Sequence, residues 1–175
     1  DLGEDHPPFS PGFQPVLAID YNTDAIRTYR ANFGQHAIDA PIEQIRTETL
    51  EDGGRRFIHV GEGGKELEAV SIPNHIHVIV GGPPCQGFSP LGRMNDWDRE
   101  DPRNSLWKYF MTTVEVLKPD IFLIENVPQL LTSEQGQAIL DKAHELGYFL
   151  AQPRVLNASL YGVPQKRKRA FILGS

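Results

Sequence analysis

The feature that most constrains this chain is a repeating rhythm: a short apolar run, a turn of special residues, then a helical pattern. Val16-Leu-Ala-Ile19 runs into Asp20, and from Asn22 the period becomes helical, with Ile26, Tyr29 and Phe33 on one face. Asn22 or Thr23 can cap that helix, and Gly34 follows its end. His75-Ile-His-Val-Ile-Val80 is a second strand, closed by Gly81-Gly-Pro-Pro84. Asn104 or Ser105 can cap a helix carrying Leu106, Phe110, Val114 and Leu117 on one face, and Pro119 stops it. Ile121-Phe-Leu-Ile124 is the next buried strand, with Glu125 at its exit. Thr132 and Gln135 are spaced as a capping box for a helix bearing Ile139, Ala143 and Leu146, which Gly147 ends. Tyr148–Leu150 and Ala170–Leu173 are the remaining strand candidates. Apolar strands alternating with helices predict an α/β fold whose sheet is mostly parallel and covered on both faces. Ligands in such folds bind outside the carboxyl ends of the strands, where Asp20, Cys85 and Glu125 fall. Glu51–Glu68, with five glycines at positions 53, 54, 61, 63 and 64, interrupts the rhythm and reads as a surface excursion of low functional weight.

Composition narrows the function. A hydrophobic share of 39% and a charged share of 23% describe a globular chain that can bury a core. The formal charge of −6 excludes a basic nucleic-acid-coating protein, though not an enzyme with a locally basic groove. No apolar run approaches the roughly 20 residues that cross a bilayer, and no secretory leader pattern is present, so no membrane partner is expected. A single cysteine makes no internal disulfide, which points to a reducing compartment such as the cytoplasm. The chain opens on Asp1 and closes just after the strand pattern at Phe171–Ser175, so both ends read as cuts through a longer protein.

A lone cysteine is ordinarily a small buried hydrophobe. Cys85, however, sits in Val80-Gly-Gly-Pro-Pro-Cys-Gln-Gly-Phe-Ser89, where two glycines and two prolines force an irregular turn that presents the thiol to a cleft. Glu125 follows four apolar residues, and a carboxylate leaving a buried strand is partly desolvated, which favours exchange of a proton with a substrate. The bland alternative is a solvated strand-end carboxylate. Gln165-Lys-Arg-Lys-Arg169 is the one dense basic run; if extended, it puts Gln165, Arg167 and Arg169 on one face and Lys166 and Lys168 on the other. Its bland reading is a solvated charge cluster. His75 and His77 share a strand face, but no third ligand stands at a recognisable spacing, so no metal site is expected. Neither GxGxxG nor a P-loop is present.

Pro84-Cys85-Gln86, Glu125-Asn126-Val127 and Gln165-x-Arg167-x-Arg169 occur in the order, and near the spacing, of one family, the cytosine-C5 DNA methyltransferases. The resemblance also takes in Asp101–Leu106 and Leu156–Pro164, and runs from about Gly12 to Gly174. It implies a Rossmann-like methyltransferase fold, a doubly wound, mostly parallel sheet, with residues 1–175 forming part of a catalytic domain. It implies methyl transfer from S-adenosylmethionine to carbon 5 of cytosine in DNA. By this resemblance Cys85 is the nucleophile that adds to C6, Glu125 protonates or hydrogen-bonds N3, and Arg167 supports the flipped base. Asp20 matches the residue that holds the ribose hydroxyls, Tyr21 stands against the adenine, and Asp39 meets its amino group. Pro84 and Leu106 line the cofactor pocket, while Gln86, Ser89, Gln165 and Arg169 face DNA. DNA is thus the expected partner, with a restriction enzyme as functional companion and no obligate protein partner evident.

Two departures accompany the resemblance. The family's glycine-rich opening turn is replaced here by a segment with Asp5, Pro7 and Pro8, and prolines remove amide donors. The family also continues into a target-recognition region and a final helix, so this chain by itself is expected to be inactive. Three other readings compete. One is an inactive paralogue acting as a binding module; another is a methyltransferase of RNA cytosine. The third, a thiol hydrolase, would need a histidine base in a comparable loop, and none of the six histidines lies in one.

Overall fold

In the computed structural model, residues 12–51, 53–84 and 105–175 are described. They fall into two units, Asp1–Asn74 and His75–Ser175. Among the described residues, no helix is long and apolar enough to cross a membrane.

In the first unit the expected strand before Asp20 and the helix after Asn22 both form, and a further strand, not among the sequence candidates, follows them. Strand β1 (Ala18–Asp20) leads into helix α1 (Thr23–Phe33) and then strand β2 (Ala37–Asp39), which pairs parallel with β1. Asn22 is the cap: its side-chain oxygen accepts the amides of Asp24 at 3.0 Å and Ala25 at 3.1 Å, satisfying donors that have no partner inside the helix. Ile26 faces inward and is buried. Tyr29 and Phe33 pair with ring centroids 4.9 Å apart.

The segment expected to be a surface excursion is instead ordered sheet. Strands β3 (Ile45–Thr49), β4 (Arg55–Val60) and β5 (Glu66–Ile72) form an antiparallel meander. Adjacent Phe57 and Ile58 are both buried, so β4 is covered on its two faces there. The glycines are the turns rather than the body: Gly63 and Gly64 have φ of 68° and 80°, which opens the β4–β5 connection at little steric cost. Charged residues on the three strands obscured the strand period.

The second unit is a mixed sheet in the order β6-β7-β9-β8, with β6 (Val78–Gly81), β7 (Ile121–Asn126), β8 (Arg154–Asn157) and β9 (Lys168–Gly174). Only β6 and β7 are parallel; β9 runs antiparallel to both β7 and β8. The alternation of strands and helices does not reveal this reversal, because strand direction depends on where the chain re-enters the sheet. Helix α2 (Leu106–Leu117) buries Met111, Val114 and Leu117; helix α3 (Glu134–Glu145) buries Ile139 and Ala143. Met111, Val114, Ile139 and Ala143 make one core with Phe122, Ile124, Leu130 and Ile172. Tyr148 closes its edge, the hydroxyl donating to the Pro119 carbonyl at 2.8 Å. Burial, with the Asp120 carboxylate adding to it, pushes this phenol above the ordinary tyrosine range, which keeps the donor proton in place.

Three local expectations shift. The α3 cap is Ser133 rather than Thr132, with its hydroxyl accepting the Gly136 amide at 3.0 Å. The residue a capping box would fill is Gly136, where a Cβ would lie 2.0 Å from the Leu130 carbonyl oxygen. Tyr148–Leu150 forms only an isolated bridge, from Leu150 to Gly174. Ser105 precedes α2 without a side-chain capping bond, and Asn104 lies outside the described residues.

Candidate active site

Strand β7 alternates: Phe122, Ile124 and Asn126 are buried while Ile121, Leu123 and Glu125 are half-buried on the other face. Glu125 therefore leaves the core at the carboxyl end of the parallel pair, as the spacing required. Its surroundings are not the apolar ones expected. Arg169 Nε donates to Glu125 Oε1 at 2.8 Å, and an Arg167 guanidinium nitrogen stands 3.9 Å from the same oxygen. Register explains the meeting: β9 runs antiparallel to β7 with Glu125 opposite Phe171 and Asn126 opposite Ala170, which carries the basic run alongside Glu125.

Part of the basic run is not extended. Strand β9 begins at Lys168, while Gln165 and Arg167 lie in a bend where the Arg167 amide bonds to the Gln165 carbonyl at 3.0 Å. The expected alternation over Gln165–Arg169 holds only from Lys168 onward. Gln165 is exposed; Arg167 and Arg169 are the two residues of the run brought to Glu125. The side chain of Arg169 is 24% exposed and that of Arg167 49% exposed, so Arg169 is held in the wall and Arg167 reaches from the rim.

Glu125 also meets the turn after β6. A Cβ at Gly82 would lie 3.3 Å from Glu125 Oε2, so glycine leaves the carboxylate room. Asn126, the one buried polar residue of the described core, donates from Nδ2 to the Pro83 carbonyl at 2.8 Å and accepts the Val127 amide at 2.8 Å. A buried amide needs such partners, and here they pin the backbone at Pro83, next to half-buried Pro84. Asn126 was visible only as a motif letter beside Glu125; its holding role needed the fold. Cys85, Gln86 and Ser89 lie outside the described residues, as do Asp5, Pro7 and Pro8. Leu106 is half-buried at the first position of α2.

In the first unit, parallel pairing sets Asp20 opposite Asp39 at the carboxyl ends of β1 and β2. The exposed Asp20 carboxylate accepts the Asn22 amide at 2.8 Å, which orients it; Tyr21 beside it is 72% exposed. Asp39 is half-buried, and its amide donates to Glu68 Oε2 at 3.3 Å. Glu68 also ion-pairs with Arg30, whose guanidinium bonds the Ala37 carbonyl at 2.6 Å. Glu68 of β5 thus ties α1 to β2 just before Asp39. The meander has a part in holding this strand end, and no local pattern in the sequence marked Glu68 for it.

Against known proteins, a family model described as C-5 cytosine-specific DNA methylase matches residues 5–175. The chain is 35% identical over 168 residues to the Type II methyltransferase M1.HphI of Haemophilus parahaemolyticus, covering 93% of this chain and 40% of that one. It is 36% identical over 167 residues to the Type II methyltransferase M.AgeI of Thalassovita gelatinovora, covering 94% of this chain and 35% of the relative. The chain thus spans well under half the length of these relatives. Among solved structures, a protein assigned as a DNA modification methyltransferase of an E. coli prophage superposes with a TM-score of 0.65 at 30% identity, over 93% of this chain and 40% of that one. The S. pombe Dnmt2 methyltransferase shares the fold, with a TM-score of 0.61 at 23% identity, over 91% of this chain and 42% of that one.

Proposed function

The chain belongs to the C-5 cytosine-specific DNA methylase family, and from that premise we propose that it carries catalytic residues of an enzyme that methylates carbon 5 of cytosine in DNA, with S-adenosylmethionine as donor. The observation that supports this best is the cluster of Glu125, Arg169 and Arg167 against the turn that leads to Cys85. A carboxylate with one oxygen held by a guanidinium and the other turned to a nucleophile's loop suits a group that must meet a ring nitrogen in one orientation.

The donor set in the first unit suits a nucleoside. Asp20 offers an oriented, exposed carboxylate for the two ribose hydroxyls, Tyr21 an open aromatic face for adenine, and Asp39 an acceptor for the adenine amino group. Pro84 and Leu106, in the second unit, are the further cofactor residues that the family resemblance implies. S-adenosylmethionine, when bound, supplies an electrophilic methyl group on a sulfonium sulfur. The chain's own residues do the rest. Cys85 Sγ bonds to C6 of a cytosine turned out of the duplex. Glu125 holds the proton at N3 as the ring accepts those electrons, so that C5 becomes nucleophilic and takes the methyl group. Loss of the C5 proton to a base then re-forms the C5–C6 double bond and expels the Cys85 thiolate. Arg167 steadies the base, and Gln86, Ser89, Gln165 and Arg169 line the DNA side, with Arg169 also fixing Glu125.

Covalent trapping tests the reading. The protein at its natural length is given S-adenosylmethionine and duplex DNA carrying 5-fluorocytosine in varied contexts, with an RNA hairpin carrying the same base in parallel. Fluorine at C5 blocks the last elimination, so the expected result is a DNA adduct that survives denaturing electrophoresis and vanishes in Cys85→Ser. An adduct on RNA alone would transfer the activity to RNA. No adduct on either would mean an inactive relative, with Asp5, Pro7 and Pro8 the first residues to examine.

A further inference from the structure

The two histidines before β6 acquire in the fold the third ligand that their spacing lacks. His75 and His77 precede β6, and Asp120 immediately precedes β7. His75 Nε2 lies 2.9 Å from Asp120 Oδ2, although 45 residues separate them in the chain. The His75 and His77 rings stand edge to face with centroids 4.7 Å apart. One ligand atom from each of the three residues lies within 4.8 Å of the others, and all three residues are exposed.

The backbone holds this group in place. Beyond the ends of the strands the parallel ladder continues: the Asp120 amide donates to the Ile76 carbonyl at 3.3 Å, and the Ile121 amide to the His77 carbonyl at 2.9 Å. Ile76 between the histidines is buried, at 7% exposure, so its alternation partners His75 and His77 turn the other way, toward solvent. Three donors therefore project from paired backbone onto one open patch.

We propose that His75, His77 and Asp120 form a surface site for a divalent transition-metal ion, Zn2+ or Co2+ in character. Two imidazoles and one carboxylate are the donor types these ions favour, whereas Mg2+ and Ca2+ take oxygen sets. With bonds of about 2.1 Å, adjacent ligand atoms around an ion lie roughly 3.0–3.4 Å apart. The His75–Asp120 separation is already near that range; the wider separations, up to 4.8 Å, need to close by about 1.5 Å, which a rotamer change of the exposed His77 ring provides. With three protein ligands, the remaining positions belong to water or a donor from outside. Asp120 lies five residues before Glu125 along β7, about 16 Å in an extended strand, so the ion would sit at the opposite end of the strand pair from the methylation chemistry.

Titration of the full chain with Co2+ tests this, in a Cys85→Ser background so that no thiol competes. The visible d–d absorption reports binding, with Zn2+ as competitor and Mg2+ as control. The expected result is saturable one-to-one binding that Zn2+ displaces and Mg2+ does not. Affinity should fall at least about tenfold in His77→Ala and in Asp120→Asn, since even outer-shell losses cost that much. His36→Ala and His144→Ala should bind as the parent does. Circular dichroism of each variant checks the fold, which exposed positions are expected to leave intact. The site is overturned if binding is unsaturable, if Mg2+ competes as well as Zn2+, or if His77→Ala and Asp120→Asn retain the parent affinity.

Discussion

The two ends of the β6–β7 pair are made from the same two neighbouring strands, yet they are finished in opposite ways. At the carboxyl end the polar groups are locked: Glu125 against Arg169, Asn126 against the Pro83 carbonyl, Gly82 leaving room for the carboxylate. At the amino end His75 and Asp120 meet at similar distance, but their side chains are 61% and 52% exposed. An ion pair in that much water adds little to stability. The difference teaches what each end can do. On the proposed function, locked groups keep one geometry for the reacting cytosine, whereas open groups remain free to rearrange around the proposed ion.

The largest effect that would break this contrast is at Glu125. Glu125→Gln keeps the shape and removes the proton exchange, so methylation by the protein at its natural length should fall about 10²- to 10⁴-fold in a single-turnover assay. A fall below tenfold would mean that the locked end is not the reacting end. Arg169→Lys comes next. An ammonium cannot reproduce the fixed direction of Nε–H, and a hydrogen bond to a charged group is worth about 1.5–3 kcal/mol, so the same rate should drop roughly 10- to 100-fold with the circular dichroism spectrum unchanged.

Gly174→Ala tests whether the β7 interior is tight even near its open end. The added Cβ would lie 2.2 Å from the Phe122 ring, and urea unfolding should show a loss of about 1–3 kcal/mol from overpacking. The smallest effect sharpens the comparison most. Without metal, Asp120→Ala should change the unfolding free energy by less than about 1 kcal/mol, as for other exposed pairs. A larger loss would show that the amino end is as structural as the carboxyl end.

Much of this was legible in local pattern. Asn22, one of the two candidate caps, closes the start of α1, Gly34 and Gly147 follow their helices, and Glu125 falls at the carboxyl end of a strand with apolar neighbours. The strand–helix alternation and the three motif groups led to the family that the comparisons show. Other features were hidden because their cause is not local. The meander β3–β5 was missed because charged residues such as Arg56 and Glu66, ion-paired across the strands, break its apolar period. The α3 cap at Ser133 carried no capping-box signature, because close packing on Leu130 demands glycine three residues on, where the box would place Glu or Gln.

By itself, then, the order of residues left β2, β8 and the charged meander unmarked, but determined the helices, the apolar strands β1, β6, β7 and β9, and which side chains stand at their ends. Those depend on periods of two and 3.6 residues that any short window contains. Only tertiary structure decided which ends meet. Antiparallel entry of β9 brought Arg169 to Glu125, and parallel pairing of β6 with β7 brought Asp120 to His75. Glu68 reached Arg30 and the Asp39 amide from β5, across 38 residues in the first case. The physical reason is the same each time: a strand's partner and register are selected by the burial of whole faces, and a polar contact across tens of residues follows from that selection.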